Sequence, residues 1–171
     1  VRVVLIRHAI AQDREVFARR HKSDDARPLT AEGRRRMAAA AQGVRSLVPT
    51  LDVVASSPLK RAVETAEIVA RAYERNGVER LGSLAPGGSP EDVLEWLQAH
   101  AESASVALVG HEPDLSELAS WLLLDSVAPL FAFKKGGACL LEFGDAIEAG
   151  EAVMRWLLQP KHLRALGADH A

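Results

Sequence analysis

Residues 3–8 read Val3-Val4-Leu5-Ile6-Arg7-His8, four consecutive aliphatic side chains running straight into a guanidinium and an imidazole. Two later stretches repeat the arrangement. Val53-Val54-Ala55 leads into Ser56-Ser57-Pro58-Leu59-Lys60-Arg61, and Val106-Ala107-Leu108-Val109 leads into Gly110-His111-Glu112-Pro113. Each apolar run is short, rich in β-branched residues and continuous rather than alternating, as expected of parallel strands covered on both faces.

Segments of helical period lie between and after these runs. Met37, Ala41, Val44 and Val48 form one stripe, Val63, Ala66, Ala70 and Tyr73 a second, and Leu115, Leu118, Ala119 and Leu122 a third. Helix starts are marked by Thr30 and by the pairs Ser57-Pro58, Ser89-Pro90 and Glu112-Pro113, with Ser89 and Asp92 spaced as a capping box. Residues 138–143 and 152–158 read as two further strands, partly antiparallel at a sheet edge, and the chain from Pro160 as a short helix with frayed final residues. The expectation is an α/β domain, a three-layer α/β/α sandwich with a mainly parallel sheet and an antiparallel edge. With 171 residues and no linker or repeat, residues 1–171 read as one domain.

Composition narrows the function. Aromatic residues are only 5% and net charge is −2, which excludes a stacking platform for nucleic acid and a general polyanion binder. The apolar runs fall far short of the ~20 residues of a membrane span, and Val3–Ile6, running straight into Arg7, is too short for the apolar region of a signal peptide, so none is expected. A single cysteine, Cys139, excludes an internal disulfide and reads as a buried structural thiol. The expected location is the cytoplasm. Charge is unevenly spread: residues 1–50 hold eleven Arg or Lys against five Asp or Glu, whereas residues 81–133 hold eight acids and no Arg or Lys. A local anion site in the first third fits that imbalance.

In an open parallel sheet the carboxyl ends of the strands share one edge, and ligands bind there. Arg7, His8, Arg61 and His111 therefore converge from three distant parts of the chain. Taken singly each has a plainer reading: Arg61 as a surface helix residue, His111 as a helix cap. Recurrence at three strand ends is what joins them. Two guanidiniums and two imidazoles suit a tetrahedral oxyanion. One imidazole can attack phosphorus, and the other can donate to the charge that builds during transfer.

Leu5-Ile6-Arg7-His8-Ala9, Ser57-Pro58-Leu59-Lys60-Arg61-Ala62 with Thr65-Ala66, and Val109-Gly110-His111-Glu112-Pro113 together resemble the histidine phosphatase, or phosphoglycerate mutase-like, superfamily. Within it, Arg27-Pro28-Leu29-Thr30-Ala31-Glu32-Gly33 and Leu84-Ala85-Pro86-Gly87-Gly88 resemble the SixA phosphohistidine phosphatases. The resemblance implies that His8 carries the phosphoryl group while Arg7, Arg61 and His111 hold its oxygens, with no metal and no cofactor. Two positions depart from the pattern: Ala9 stands where the superfamily usually has Gly, and Glu112 where SixA relatives often have Asn. Glu112 is expected to reach the pocket rim or to favour the N-terminus of the following helix.

Larger family members insert an acid-bearing segment between the second and third motifs, whereas residues 72–105 here hold little beyond one short strand and one helix. Asp13, Glu112 or no residue at all is the candidate general acid. An acid-poor, open site suits a phosphohistidine-bearing protein, such as a histidine phosphotransfer domain in signal transduction. The alternatives are a phosphomonoesterase for a small phosphorylated metabolite and a non-catalytic phosphate-binding module. The chain is expected to be a monomer, with Trp121-Leu122-Leu123-Leu124 and Leu130-Phe131 in the core. His21, His100, His162 and His170 are expected at the surface.

Overall fold

The computed structural model describes residues 1–20 and 23–168. The readings for His21, His170 and the final residues lie outside that range. In chain order the elements are β1 (Arg2–Arg7), α1 (Arg14–Ala18), α2 (Ala31–Leu47), β2 (Val53–Ser56), α3 (Lys60–Ala72), β3 (Glu79–Arg80), α4 (Pro90–Ala99), β4 (Ser105–Gly110), α5 (Asp114–Leu124), β5 (Ala138–Glu142), β6 (Val153–Leu158) and α6 (Pro160–Ala168). Short 3-10 turns cover Asp24–Ala26 and Gly82–Leu84.

The six strands form one sheet in the order β3-β2-β4-β1-β5-β6. The pairs β3–β2, β2–β4 and β4–β1 are parallel, and β1–β5 and β5–β6 are antiparallel. Successive side chains of a strand point to opposite faces, so the continuous apolar runs feed two cores at once. Val4, Ile6, Val54, Ala107 and Val109 pack beneath α2, α3 and α6. Val3, Leu5, Ala55, Val106 and Leu108 pack beneath α4 and α5. This is the three-layer α/β sandwich with an antiparallel edge that the runs imply.

The helix signals resolve unevenly. Thr30 caps α2 by accepting the Gly33 N–H at 2.9 Å, and Ser89 caps α4 through the Asp92 N–H at 3.0 Å. Helix α3 starts two residues after Pro58, and no side chain among the described residues caps it. Where α2 crosses α6 the backbones nearly touch. A Cβ on Gly43 would lie 1.9 Å from the Leu163 carbonyl oxygen, and one on Gly167 would lie 2.4 Å from that of Ala39. Only glycine allows that approach.

One stretch expected in the core is not all there. Leu122 is fully buried, and Trp121, Leu123 and Phe131 pack against the core, but Leu124 and Leu130 are 60% and 58% exposed. Leu124 lies two residues, about 200°, past buried Leu122 and so on the helix face away from the core, and Leu130 falls in the loop that follows once left-handed Asp125 ends α5. His162 is exposed as expected. His100 is half-buried instead, stacked 3.9 Å from the Trp96 ring with Nδ1 bonded to the Trp96 carbonyl at 2.8 Å. Cys139 is fully buried, and burial pushes its thiol pKa up. Among the described residues no helix is long and apolar enough to cross a membrane.

Candidate active site

Strands β1 and β4 run side by side with Arg7 opposite Gly110, so His8 and His111 leave the sheet together. The His8 N–H donates to the Gly110 carbonyl at 3.0 Å, and the Ser57 N–H donates to that of Val109 at 3.0 Å. Three strand ends thus lock into one edge. After β1 the chain passes to α2 on one face, and after β4 to α5 on the other, so a crevice opens between them. It is a cleft of about 600 Å³ lined by Arg7, His8, Arg61 and His111, all four residues singled out in the sequence.

His8 is 6% exposed. Its Nδ1 lies 2.7 Å from the Ala9 carbonyl oxygen. A carbonyl only accepts, so Nδ1 carries the hydrogen and Nε2 keeps its lone pair. Burial pushes the His8 pKa down to about 3; the bond to Ala9 works against this, while His111, Arg61 and Arg7 add to it. The ring is therefore neutral at pH 7. His111, with its ring centre 5.1 Å away, has Nε2 2.8 Å from Ser57 Oγ; with the Ser57 hydroxyl donating to Nε2, the hydrogen of the neutral ring sits on Nδ1. Burial and then Arg61 push its pKa down to about 4.

Arg7 Nη1 donates to the Phe133 carbonyl at 2.5 Å, and Arg61 Nη1 donates to the Asp24 carbonyl at 3.1 Å. Three buried atoms of the cleft side chains have no partner among the described residues: Arg7 Nε, Arg61 Nε and His111 Nδ1. Buried polar atoms left unpaired are costly, and three of them in one cationic cleft are what a polyvalent oxyanion would satisfy.

Both departures from the expected pattern have local roles. The Ala9 N–H donates to Thr65 Oγ at 3.0 Å, and the Thr65 hydroxyl donates to the Arg61 carbonyl at 2.7 Å, tying the end of β1 to α3. The Ala9 methyl packs in the core. Glu112 lines the cleft, but both carboxylate oxygens are engaged, one by the Phe133 N–H and the other by the Ser116 hydroxyl at 2.6 Å. It braces the segment that holds Arg7. Asp13 stands at the cleft, where its Oδ1 caps α1 by accepting the Val16 N–H at 2.9 Å.

Sequence reading missed several members. Ser57 and Thr65 bond to His111 and to the Ala9 N–H, and Arg14, Arg27 and Lys135 line the cleft. The excess of cations in residues 1–50 was the available signal, but it could not say which of eleven turn inward.

Fold and cleft together define an α/β protein with a cationic cleft, holding unpaired buried nitrogens, at the carboxyl edge of its sheet. A model of the histidine phosphatase superfamily, branch 1, matches residues 3–84. An uncharacterized protein of Picosynechococcus sp. is 37% identical over 142 residues, covering 82% of this chain and 84% of its own. The structure of the protein histidine phosphatase SixA complexed with tungstate superposes with a TM-score of 0.81 at 25% identity, covering 95% of this chain and 99% of that one. A mycobacterial glucosyl-3-phosphoglycerate phosphatase in complex with VO3 gives 0.69 at 20% identity, over 92% and 99% of the two chains, a likeness of fold alone. The chain belongs to the histidine phosphatase superfamily, whose members are phosphatases, and stands close to SixA.

Proposed function

We propose that the protein is a metal-independent phosphohistidine phosphatase acting on a histidine-phosphorylated protein, with His8 as nucleophile. The observation that carries the reading is the His8 tautomer. With Nδ1–H bonded to the Ala9 carbonyl, a neutral Nε2 lone pair is available inside a cleft of cations. In the first step Nε2 attacks phosphorus in line with the scissile P–N bond, whose electron pair leaves with the substrate imidazole. Water then attacks the phosphoryl group on His8, inorganic phosphate departs, and the lone pair returns to Nε2. Arg7, Arg61 and His111 hold the oxygens as charge shifts through the transition state.

The leaving group supports the substrate class. A phosphohistidine ring protonated at its second nitrogen leaves as neutral imidazole and takes no proton from the enzyme. An alkoxide does need one, and Glu112 has both oxygens engaged. The likeness to SixA points the same way. Such an enzyme would act in cytoplasmic signal transduction, removing phosphate from a phosphotransfer domain. A phosphomonoesterase for small metabolites is the rival, and it would rely on Asp13 at the cleft as acid.

The test is a comparison of rates on a histidine-phosphorylated phosphotransfer domain and on a panel of alkyl and sugar phosphates. The proposal expects the protein substrate to be turned over far faster. Faster hydrolysis of the small esters, abolished by Asp13→Asn, would favour the rival. Binding without turnover on any substrate would leave a phosphate-binding module.

A further inference from the structure

Arg27 follows the 3-10 turn at Asp24–Ala26 and is only 7% exposed although it carries a full charge. Two of its nitrogens are tied inside the protein: Nη1 donates to the Gln12 carbonyl at 2.8 Å, and Nε donates to Asp24 Oδ1 at 2.7 Å. Nη2 has no partner among the described residues, and the side chain lines the cleft that holds His8. A buried guanidinium with two nitrogens fixed and the third left over is oriented, not merely present.

Asp24 is the common point of the arrangement. Its Oδ1 takes Arg27, its Oδ2 lies 3.1 Å from Arg61 Nη1, and its carbonyl accepts from that same Nη1. Exposed Arg14 joins from outside, 3.3 Å from Oδ2. Two guanidiniums nearly excluded from water repel each other. A carboxylate between them offsets the repulsion and sets the direction of both forks. Hydrogen bonding from Arg27 first of all holds the Asp24 carboxyl down to about 2, so it stays ionised at neutral pH.

We propose that Arg27 is a third guanidinium of the phosphoryl-binding site and that Asp24 is the positioning residue that aims Arg27 and Arg61 together. The proposal rests on the cleft being a phosphoryl site. It makes a prediction opposite to that of a simple charge effect. If Asp24 acted only as a negative charge beside an anion site, neutralising it would tighten anion binding. As a positioning residue, its neutralisation weakens binding, because both forks lose their direction.

The experiment is calorimetric titration with sodium tungstate at fixed ionic strength, on the intact protein and on Arg27→Met, Arg27→Lys, Asp24→Asn and the Asp24→Asn/Arg27→Met double variant. Cooperative thermal melts check that each variant folds. Arg27→Met should bind about 10- to 100-fold more weakly, the range for one lost charge-assisted hydrogen bond. Arg27→Lys should not restore binding, since the compact ammonium cannot reproduce the spread of the guanidinium nitrogens that reach Gln12, Asp24 and the anion from one planar group. Asp24→Asn should weaken binding by about 10-fold or more, and the double variant should lose clearly less than the product of the single losses. Undiminished binding by both Arg27 variants, tighter binding by Asp24→Asn, or fully multiplicative losses would overturn the proposal. Failure of the unaltered protein to bind tungstate would sink the reading of the cleft itself, a distinct result.

Discussion

Both cleft histidines are buried in the neutral form, and acid should therefore unfold this protein partly through them. In the unfolded chain each imidazole titrates near 6.5, whereas in the fold the values are pushed down to about 3 for His8 and about 4 for His111. Below pH 6.5 the unfolded state takes up protons that the native state refuses, so the stability present above that pH is lost as pH falls toward the folded values. Between pH 7.5 and 5.5 each histidine should cost about 1.4 kcal/mol, and the pair about 2.7 kcal/mol. These figures require only that both rings remain neutral in the fold at pH 5.5. Set against a typical total of ~5–15 kcal/mol, the loss is readily measured.

The assay is urea unfolding at pH 7.5 and 5.5 for the unaltered protein, His8→Asn, His111→Asn and the double variant. Asn has no titrating group, and its amide can still donate to the Ala9 carbonyl. Other groups titrate alike in all four proteins and cancel on subtraction. Each single variant should lose about 1.4 kcal/mol less than the parent on acidification, and the double variant about 2.7 kcal/mol less. Equal losses in all four proteins would refute the reasoning. So would larger losses in the variants, because the native state would then hold charged histidines.

Tungstate should stabilise the folded protein, by about 2.7 kcal/mol at 100 times its dissociation constant, and Arg61→Ala should remove most of that shift; a full shift in the variant would contradict the clamp. Glu112→Ala should lower kcat/KM by about 10-fold or more through loss of the brace on the Phe133 carbonyl that holds Arg7; an unchanged rate on the protein substrate would remove that role. Gly43→Ala should cost about 1–3 kcal/mol in thermal unfolding, because its Cβ would collide with the Leu163 carbonyl. An unaltered melting temperature would show that α2 and α6 separate freely.

The parallel centre of the sheet was legible because β1, β2 and β4 are covered on both faces and so appear as unbroken aliphatic runs, each leading into residues that line the cleft. Parallel pairing then places His8 and His111 together without further information, once β1 and β4 are neighbours. That adjacency is not local, and the runs alone do not dictate which strand lies in the middle. What stayed hidden were contacts between segments far apart in the chain. Glu112 appears in sequence as a helix-start acid, and only the return of residues 129–133 along α5 gives it the Phe133 N–H to bind. Arg27 looks like one cation among eleven until a 3-10 turn sets Asp24 between it and Arg61. Leu124 and Leu130 fit an apolar run, but the phase of α5 puts Leu124 opposite Leu122, and Leu130 lies in the loop beyond the helix, so both are exposed.

The central claim is that His8 Nε2 carries the phosphoryl group during turnover. It is tested most directly by mixing the protein with a phosphohistidine-bearing phosphotransfer domain, quenching in base, where phosphohistidine survives, and locating the phosphoryl group by mass spectrometry. The account predicts an acid-labile phosphoryl group on His8 that forms and decays within a single turnover, and none in His8→Ala, which should also lose turnover. Turnover with no phosphoryl group on His8, or His8→Ala working at the parent rate, would contradict it.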